Sequence, residues 1–369
     1  MDSCRAVVAG SLGVIAALAV TRFACADIDP TSGIDFVTIT HPGNAPWAGD
    51  GTQDDQSIGR GSVGYEYRIG KFEIATAQWV EFMNAAFDRP QSEWIPYLQL
   101  PGGASWAATP VAPNTPGGRR WAIASGAAML PVGQTSWRDA AIYTNWLHNN
   151  KGLERSAFLS GAYDVSTFGY VTLPNGVLAF TDQTERSPGA RYFIPTVDEW
   201  IKASHFDPNK VNSDGSVGGY WTYSNGSDIP YVGAPPNAGG TATFGFDVGA
   251  LSIPLGAYTS VRSPWGLYDV AGGSFEWLET VVLDPVDGRN YRLFDGSSRT
   301  TELNLSSLDT LYYFGAQRPN TAGTTSGFRI AATIPSPATL GIVAVLILVP
   351  RRNRKGGALC DGVTVASAP

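Results

Sequence analysis

The sequence predicts an α+β domain of low regular secondary structure, in which a small scaffold carries long ordered loops. Three observations predict it. Short alternating runs rich in β-branched and aromatic residues read as strands. Few stretches have the i, i+3, i+4 spacing of a helix, and each begins beside a capping residue. Between them the chain is rich in glycine and aromatic residues, with 43 Gly, 11 Trp and 15 Tyr, which suits loops better than a helical bundle.

In chain order, Ile34 to Ile39 alternates and forms the first strand, followed by a Gly-, Asn- and Asp-rich loop from His41 to Gly64. Tyr65 to Ile74 alternates again and is the second strand. Thr76 is placed to cap a helix whose buried face is Trp79, Val80, Phe82, Met83 and Ala86. From about Arg89 to Met129 the chain lacks periodicity and reads as loop. Ser136, with Asp139 three residues on, forms a near capping box for a helix that buries Ala140, Ala141, Tyr143, Trp146 and Leu147. Arg191 to Thr196 is a short strand, and Thr196 with Glu199 caps a helix from Val197 to Ala203. Tyr291 to Gly296 is a further strand, and Gly327 to Ala331 is the last.

Composition limits function. Of 369 residues, 43% are hydrophobic and 15% charged, enough for a real core. A net charge of −7 excludes nucleic acid as a main partner, because phosphate binding needs a basic face. At the start, Arg5, an apolar run from Ala6 to Val20 and Ala24-Cys25-Ala26 make a signal segment 1–26, cut by signal peptidase before Asp27. Lipidation of Cys25 fits less well beside Arg22 and Phe23. At the other end, Ile334-Pro335-Ser336-Pro337 leads into a short apolar run to Val349 and then Arg351, Arg352, Arg354 and Lys355. The run is short for a spanning helix, and its basic flank would hold that end in the cytoplasm. Cys4, Cys25 and Cys360 fall within the two ends, so the mature domain would hold no cysteine.

The rest is organised around Pro264 to Trp277, Pro-Trp-Gly-Leu-Tyr-Asp-Val-Ala-Gly-Gly-Ser-Phe-Glu-Trp. Gly272 and Gly273 allow a sharp turn with positive φ. Asp269 and Glu276 stand on either side of it, with free carbonyls between. Such an oxygen-rich pocket suits a hard cation, although the same acids could equally cap neighbouring amides while the aromatics fill core.

In order along the chain stand Tyr67-Arg68-Ile69-Gly70-Lys71-Phe72-Glu73-Ile74, Pro131-Val132-Gly133 to Asn145-Trp146-Leu147, Ile194 to Trp200, Trp265-Gly266-Leu267-Tyr268-Asp269, Glu276-Trp277 and Gly327-Phe328-Arg329. With these, the chain from about Ser62 to Ala332 resembles the formylglycine-generating enzyme, or sulfatase-modifying factor, family. The resemblance implies a variant of the C-type lectin-like fold with bound calcium. It places one calcium on the side chains of Asp269 and Glu276 and the carbonyls of Gly272 and Ser274. A second would use Asn237 and the carbonyl of Ala238, with Asp247 as a further partner. The domains expected are thus a signal segment 1–26, a lead-in strand and loop 27–61, the family domain 62–332 and a tail 333–369. That tail resembles the PEP-CTERM sorting signal, with Ser336 where the usual motif has Glu, and implies an exosortase-type sorting enzyme as partner and the cell surface of a Gram-negative-type bacterium as destination.

The family's oxygen-dependent enzymes hold copper on a cysteine pair, which soft-metal chemistry requires. The corresponding stretch, Tyr291 to Arg329, has none, and Phe294-Asp295-Gly296-Ser297-Ser298 stands where Arg-Gly-Gly-Ser-Trp is usual. A related branch binds non-haem iron through histidines; here His41, His148 and His205 have no paired spacing. Copper and iron are therefore not expected. Two classes of function remain: a calcium-stabilised surface module binding an extracellular glycan or protein, and an enzyme using acids such as Asp198 and Glu199 or Asp284 and Asp287.

Overall fold

Strand pairing and side-chain contacts come from a computed structural model that describes residues 27–100, 108–111, 120–243, 253–298 and 309–335. The chain through Thr333 is one unit, and a second begins at Ile334. The signal segment, Asp247 and the tail beyond Pro335 lie outside the described residues. Among the described residues no helix is long and apolar enough to cross a membrane.

Among the described residues the strands and α-helices follow in the order β1 (Asp27–Ile28), β2 (Asp35–Ile39), β3 (Tyr67–Gly70), α1 (Thr76–Phe87), β4 (Ala108–Pro110), β5 (Trp121–Ile123), α2 (Trp137–His148), α3 (Ser156–Leu159), β6 (Tyr170–Thr172), β7 (Leu178–Phe180), β8 (Tyr192–Phe193), α4 (Val197–His205), β9 (Phe206–Val211), β10 (Val217–Tyr220), β11 (Phe275–Leu283), β12 (Asn290–Asp295), β13 (Gly315–Gln317), β14 (Ser326–Gly327) and β15 (Ala331–Ala332). Two sheets organise them. One has the order β1-β2-β3-β15-β8, the other β13-β12-β11-β14, and three separate hairpins pair β4 with β5, β6 with β7 and β9 with β10. The expected α+β class with long loops is the architecture found.

The helices form where capping and apolar spacing agree. Ser136 caps α2, accepting from the Asp139 amide while Asp139 accepts from the Ser136 amide. Thr196 and Glu199 do the same for α4. At α1 the reading needs correction: Thr76 is the first helical residue and its hydroxyl donates to the Leu130 carbonyl. The cap position is Ala75, which has no side-chain acceptor, and Gln78 reaches back to accept from its amide.

Trp79, Phe82 and Met83 of α1 pack with Tyr143 and Trp146 of α2 in the larger core. A second core gathers Val197, Trp200 and Ile201 of α4 against Ile69, Leu278 and Leu293. Three further corrections concern strands. The second strand is only Tyr67–Gly70, because Lys71 already turns out of the sheet. The expected loop from Arg89 to Met129 contains the β4–β5 hairpin. The expected last strand Gly327 to Ala331 is two strands in different sheets: β14 runs parallel to β11, and β15 pairs with β3 and β8. Phe328, Arg329 and Ile330 thus carry the chain from one sheet to the other, fully buried.

Candidate functional site

The organising turn sits where that crossing occurs. Gly272 and Gly273 both adopt positive φ, at 87° and 72°, as the sequence requires, and Asp269 joins them at 54°. A side chain at Gly272 would meet the Thr243 backbone nitrogen at 2.6 Å, and one at Gly273 would meet Glu73 Oε1 at 2.6 Å. The Gly272 amide donates to Ser297 Oγ at 2.8 Å, and the buried Ser274 hydroxyl to the Val132 carbonyl.

Around this turn the structure gathers more charge than spacing revealed. Glu276 is buried at the start of β11, and Arg329 donates to its carboxylate, with Nη2 to Oε1 at 2.8 Å. Trp200 Nε1 donates to Oε2 at 2.8 Å. Arg329 also donates to the carbonyls of Gly70 and Tyr268, which ties both sheets to the turn. Glu73, 2% exposed, receives the Ser274 amide on Oε1 at 3.3 Å, while its Oε2 has no hydrogen-bond partner. Burial, reinforced by Glu276, pushes the Glu73 carboxyl well above the usual range. Asp269 accepts from the Gly256 amide through Oδ2, and burial raises it to about 6. Beside it lies a cavity of about 10 Å³ lined by Ser224, Tyr231, Thr241 and Ser263, room for one water-sized group.

Every candidate ligand is oxygen, as a hard cation prefers, and Glu73 Oε2 is unpartnered, but among the described residues no three acids or histidines stand close enough together to form a metal-holding group. The fit is better at Asp269 than at Glu276, whose two oxygens already take N–H groups from Arg329 and Trp200. Glu73 and Arg329 were missed as site residues. For Arg329 the signal was a lone charge inside an otherwise apolar run, whereas Glu73 follows Glu66, Arg68 and Lys71 in an alternating stretch and had no such signal.

The other predicted residues lie apart. Asn237 and Ala238 are exposed in a short 3₁₀ turn, and their third expected partner, Asp247, lies outside the described residues. Asp198 faces outward to the Gly61 amide and Arg60, whereas Glu199 is buried against Arg186, so the two acids serve different partners. Asp284 and Asp287 accept amides within the β11–β12 turn. His148 is half-buried at the end of α2 and accepts from the Arg191 amide; His205 closes α4 and is buried, which lowers it to about 4.

A second charged group was legible only in part. Arg186 bridges Glu199 Oε1 at 2.8 Å and Glu279 Oε2 at 3.2 Å, with Tyr65 on the same guanidinium. Its face stacks on Phe193 at 3.7 Å. Burial raises Glu279 to about 7 despite that pairing. Arg186 and Glu279 of this group line an open cavity of about 650 Å³ between the 184–190 loop and β11.

Buried acids on a two-sheet, loop-rich α+β scaffold define the class, a domain whose chemistry lies in ordered loops. The chain belongs to the family of sulfatase-modifying factor enzyme 1-like domains, matching it over residues 36–334. The match begins earlier than Ser62, in keeping with β2 being paired to β3 in the sheet. No curated protein matches the chain. Among solved structures it is similar to CarF (20% identity, TM-score 0.48, covering 82% of this chain and 99% of that one). It is also similar to the Treponema denticola variable protein 1 (14%, 0.48, 82% and 95%) and to PvdO from Pseudomonas aeruginosa (15%, 0.43, 81% and 94%).

Proposed function

We propose that the domain is a non-catalytic binding module, stabilised by calcium at the Asp269–Glu276 turn and displayed outside the cell. The observation that carries this reading is a family domain spanning 36–334 in a chain whose only cysteines are Cys4, Cys25 and Cys360. Copper held by thiolates and attack on a substrate thiol both require a cysteine pair that the domain does not supply. Ser297 and Ser298, in the stretch that departs from the family's usual pattern, are wholly buried, and Ser297 supports the glycine turn. The calcium assignment is supported by the all-oxygen donors, the excess of carboxyls over Arg329 and the water-sized space beside Asp269. Export rests on the signal segment, and attachment on the tail, with signal peptidase and an exosortase-type enzyme as processing partners and a glycan or protein as the external ligand.

The test is direct. Incubation of the purified protein with copper, oxygen and a cysteine-containing sulfatase peptide should produce no aldehyde. Aldehyde formed at a rate proportional to protein would place a redox centre in this chain and end the binding-module reading.

A further inference from the structure

We infer that the open cavity between the 184–190 loop and β11 is a binding site for a neutral carbohydrate. The inference rests on the binding-module reading and supplies its ligand class. At about 650 Å³ the cavity falls within the range of small-molecule sites. Its walls are pinned by hydrogen bonds. Arg292 is buried and donates to the carbonyl of Thr184 at 2.9 Å, and also to those of Gln183 and Glu279, tying loop to strand. Asp182, just before the loop, is held by Arg138 at 2.6 Å. The site is thus formed before any ligand arrives, which lowers the ordering cost of binding.

The lining selects the ligand. Thr196 Oγ1 accepts from the Glu199 amide, Thr280 Oγ1 from the Val197 amide and Ser187 Oγ from Gln183 Nε2. A hydroxyl oxygen that already accepts keeps its O–H to donate, so three lining residues can each offer a donor to the space. Thr184 and Thr333 add two exposed hydroxyls at the rim. Acceptors stand beside these donors: the exposed Glu185 carboxylate lines the space, as does Glu279, which already accepts from Tyr163 and Arg186. Alternating donors and acceptors match vicinal hydroxyl groups, each of which both donates and accepts. Pro188, Ala190 and Val281 supply the apolar patches that the C–H faces of a sugar ring require.

Charge removes the alternatives. An anion would need a free cation, and Arg186 is already shared by Glu199, Glu279 and Tyr65. A cation would have to compete with that same guanidinium for Glu279, which leaves it the single exposed Glu185 carboxylate, a solvated and therefore weak partner. A neutral polyol disturbs neither pairing.

Saturation-transfer NMR on the purified full chain would test this, with methyl glucoside, mannoside and galactoside as probes and glucuronate and glucosamine as charged controls. At least one neutral glycoside should give saturable transfer at millimolar concentration, with or without a calcium chelator. Thr184→Trp, which fills the mouth from an exposed position, should abolish transfer while the unfolding midpoint stays at the wild-type value. Ser187→Ala should weaken binding about fivefold, the loss expected for one net hydrogen bond. No transfer from any neutral glycoside, transfer unchanged in Thr184→Trp, or stronger transfer from either charged sugar would each overturn the assignment. Transfer that disappears on chelation and returns with calcium would place the sugar on the ion and also overturn it. Intact transfer in a chain that shows no calcium effect would sink the calcium assignment alone.

Discussion

Arg329 is the residue on which the candidate site depends. It is wholly buried, its partner Glu276 is wholly buried, and Glu73 and Asp269 lie within its field. A buried pair of this type adds little net stability over an apolar pair, but breaking it strands a charge. Arg329→Met should therefore cost about 3–5 kcal/mol, measured as the loss of unfolding free energy in urea. Arg329→Met combined with Glu276→Gln should recover part of that loss, since the stranded carboxylate is gone. A single variant within ~1 kcal/mol of wild type would mean that the guanidinium does not hold the acids. Spacing brought Asp269 and Glu276 to attention because they flank one glycine turn, and the family resemblance added the carbonyls of Gly272 and Ser274. Glu73 and Arg329 come from opposite ends of the domain, and only the meeting of β3, β14 and β15 brings them together.

Elements were legible where local chemistry decides them. The boxes at Ser136–Asp139 and Thr196–Glu199 formed as read, because both partners lie within one turn of the helix. Thr76 misled because its hydroxyl prefers the Leu130 carbonyl, a contact that local sequence does not reveal. The chain from Gly327 to Ala331 reads as one strand, and tertiary pairing divides it between two sheets. At the glycine turn the sequence predicted positive φ but not the close approach. Gly273→Ala tests that difference against Gly176→Ala. Both glycines are left-handed, at 72° and 81°, but a methyl group at Gly176 meets nothing within 4 Å and one at Gly273 meets Glu73. Gly176→Ala should cost about 1–2 kcal/mol from backbone strain alone. Gly273→Ala should exceed it, since a buried carboxyl must also move. Equal losses in thermal unfolding would show that Glu73 yields freely.

At the scale of the whole molecule, the class and the buried helix faces followed from composition and aromatic spacing, while the division into two cores and the hairpins β4–β5, β6–β7 and β9–β10 did not. Their strands are short and their pairing depends on contacts outside the local pattern, such as Asn290 exchanging hydrogen bonds with the Phe180 backbone. A fold with this much loop needs its chain crossings fixed, and the Asp269–Glu276 turn lies at the crossing between the two main sheets. A calcium ion there would bind the native state alone, adding about 2.7 kcal/mol when its concentration is ~100 times Kd. Removal of calcium with EGTA should lower Tm by several degrees, readdition should restore it, and magnesium at equal concentration should restore less, because it demands a smaller octahedral site. Asp269→Ala should start from a lower midpoint and respond to neither treatment. A wild-type midpoint unmoved by chelation would leave Arg329 as the cation that holds the crossing. A full calcium response in Asp269→Ala would place the ion elsewhere in the domain.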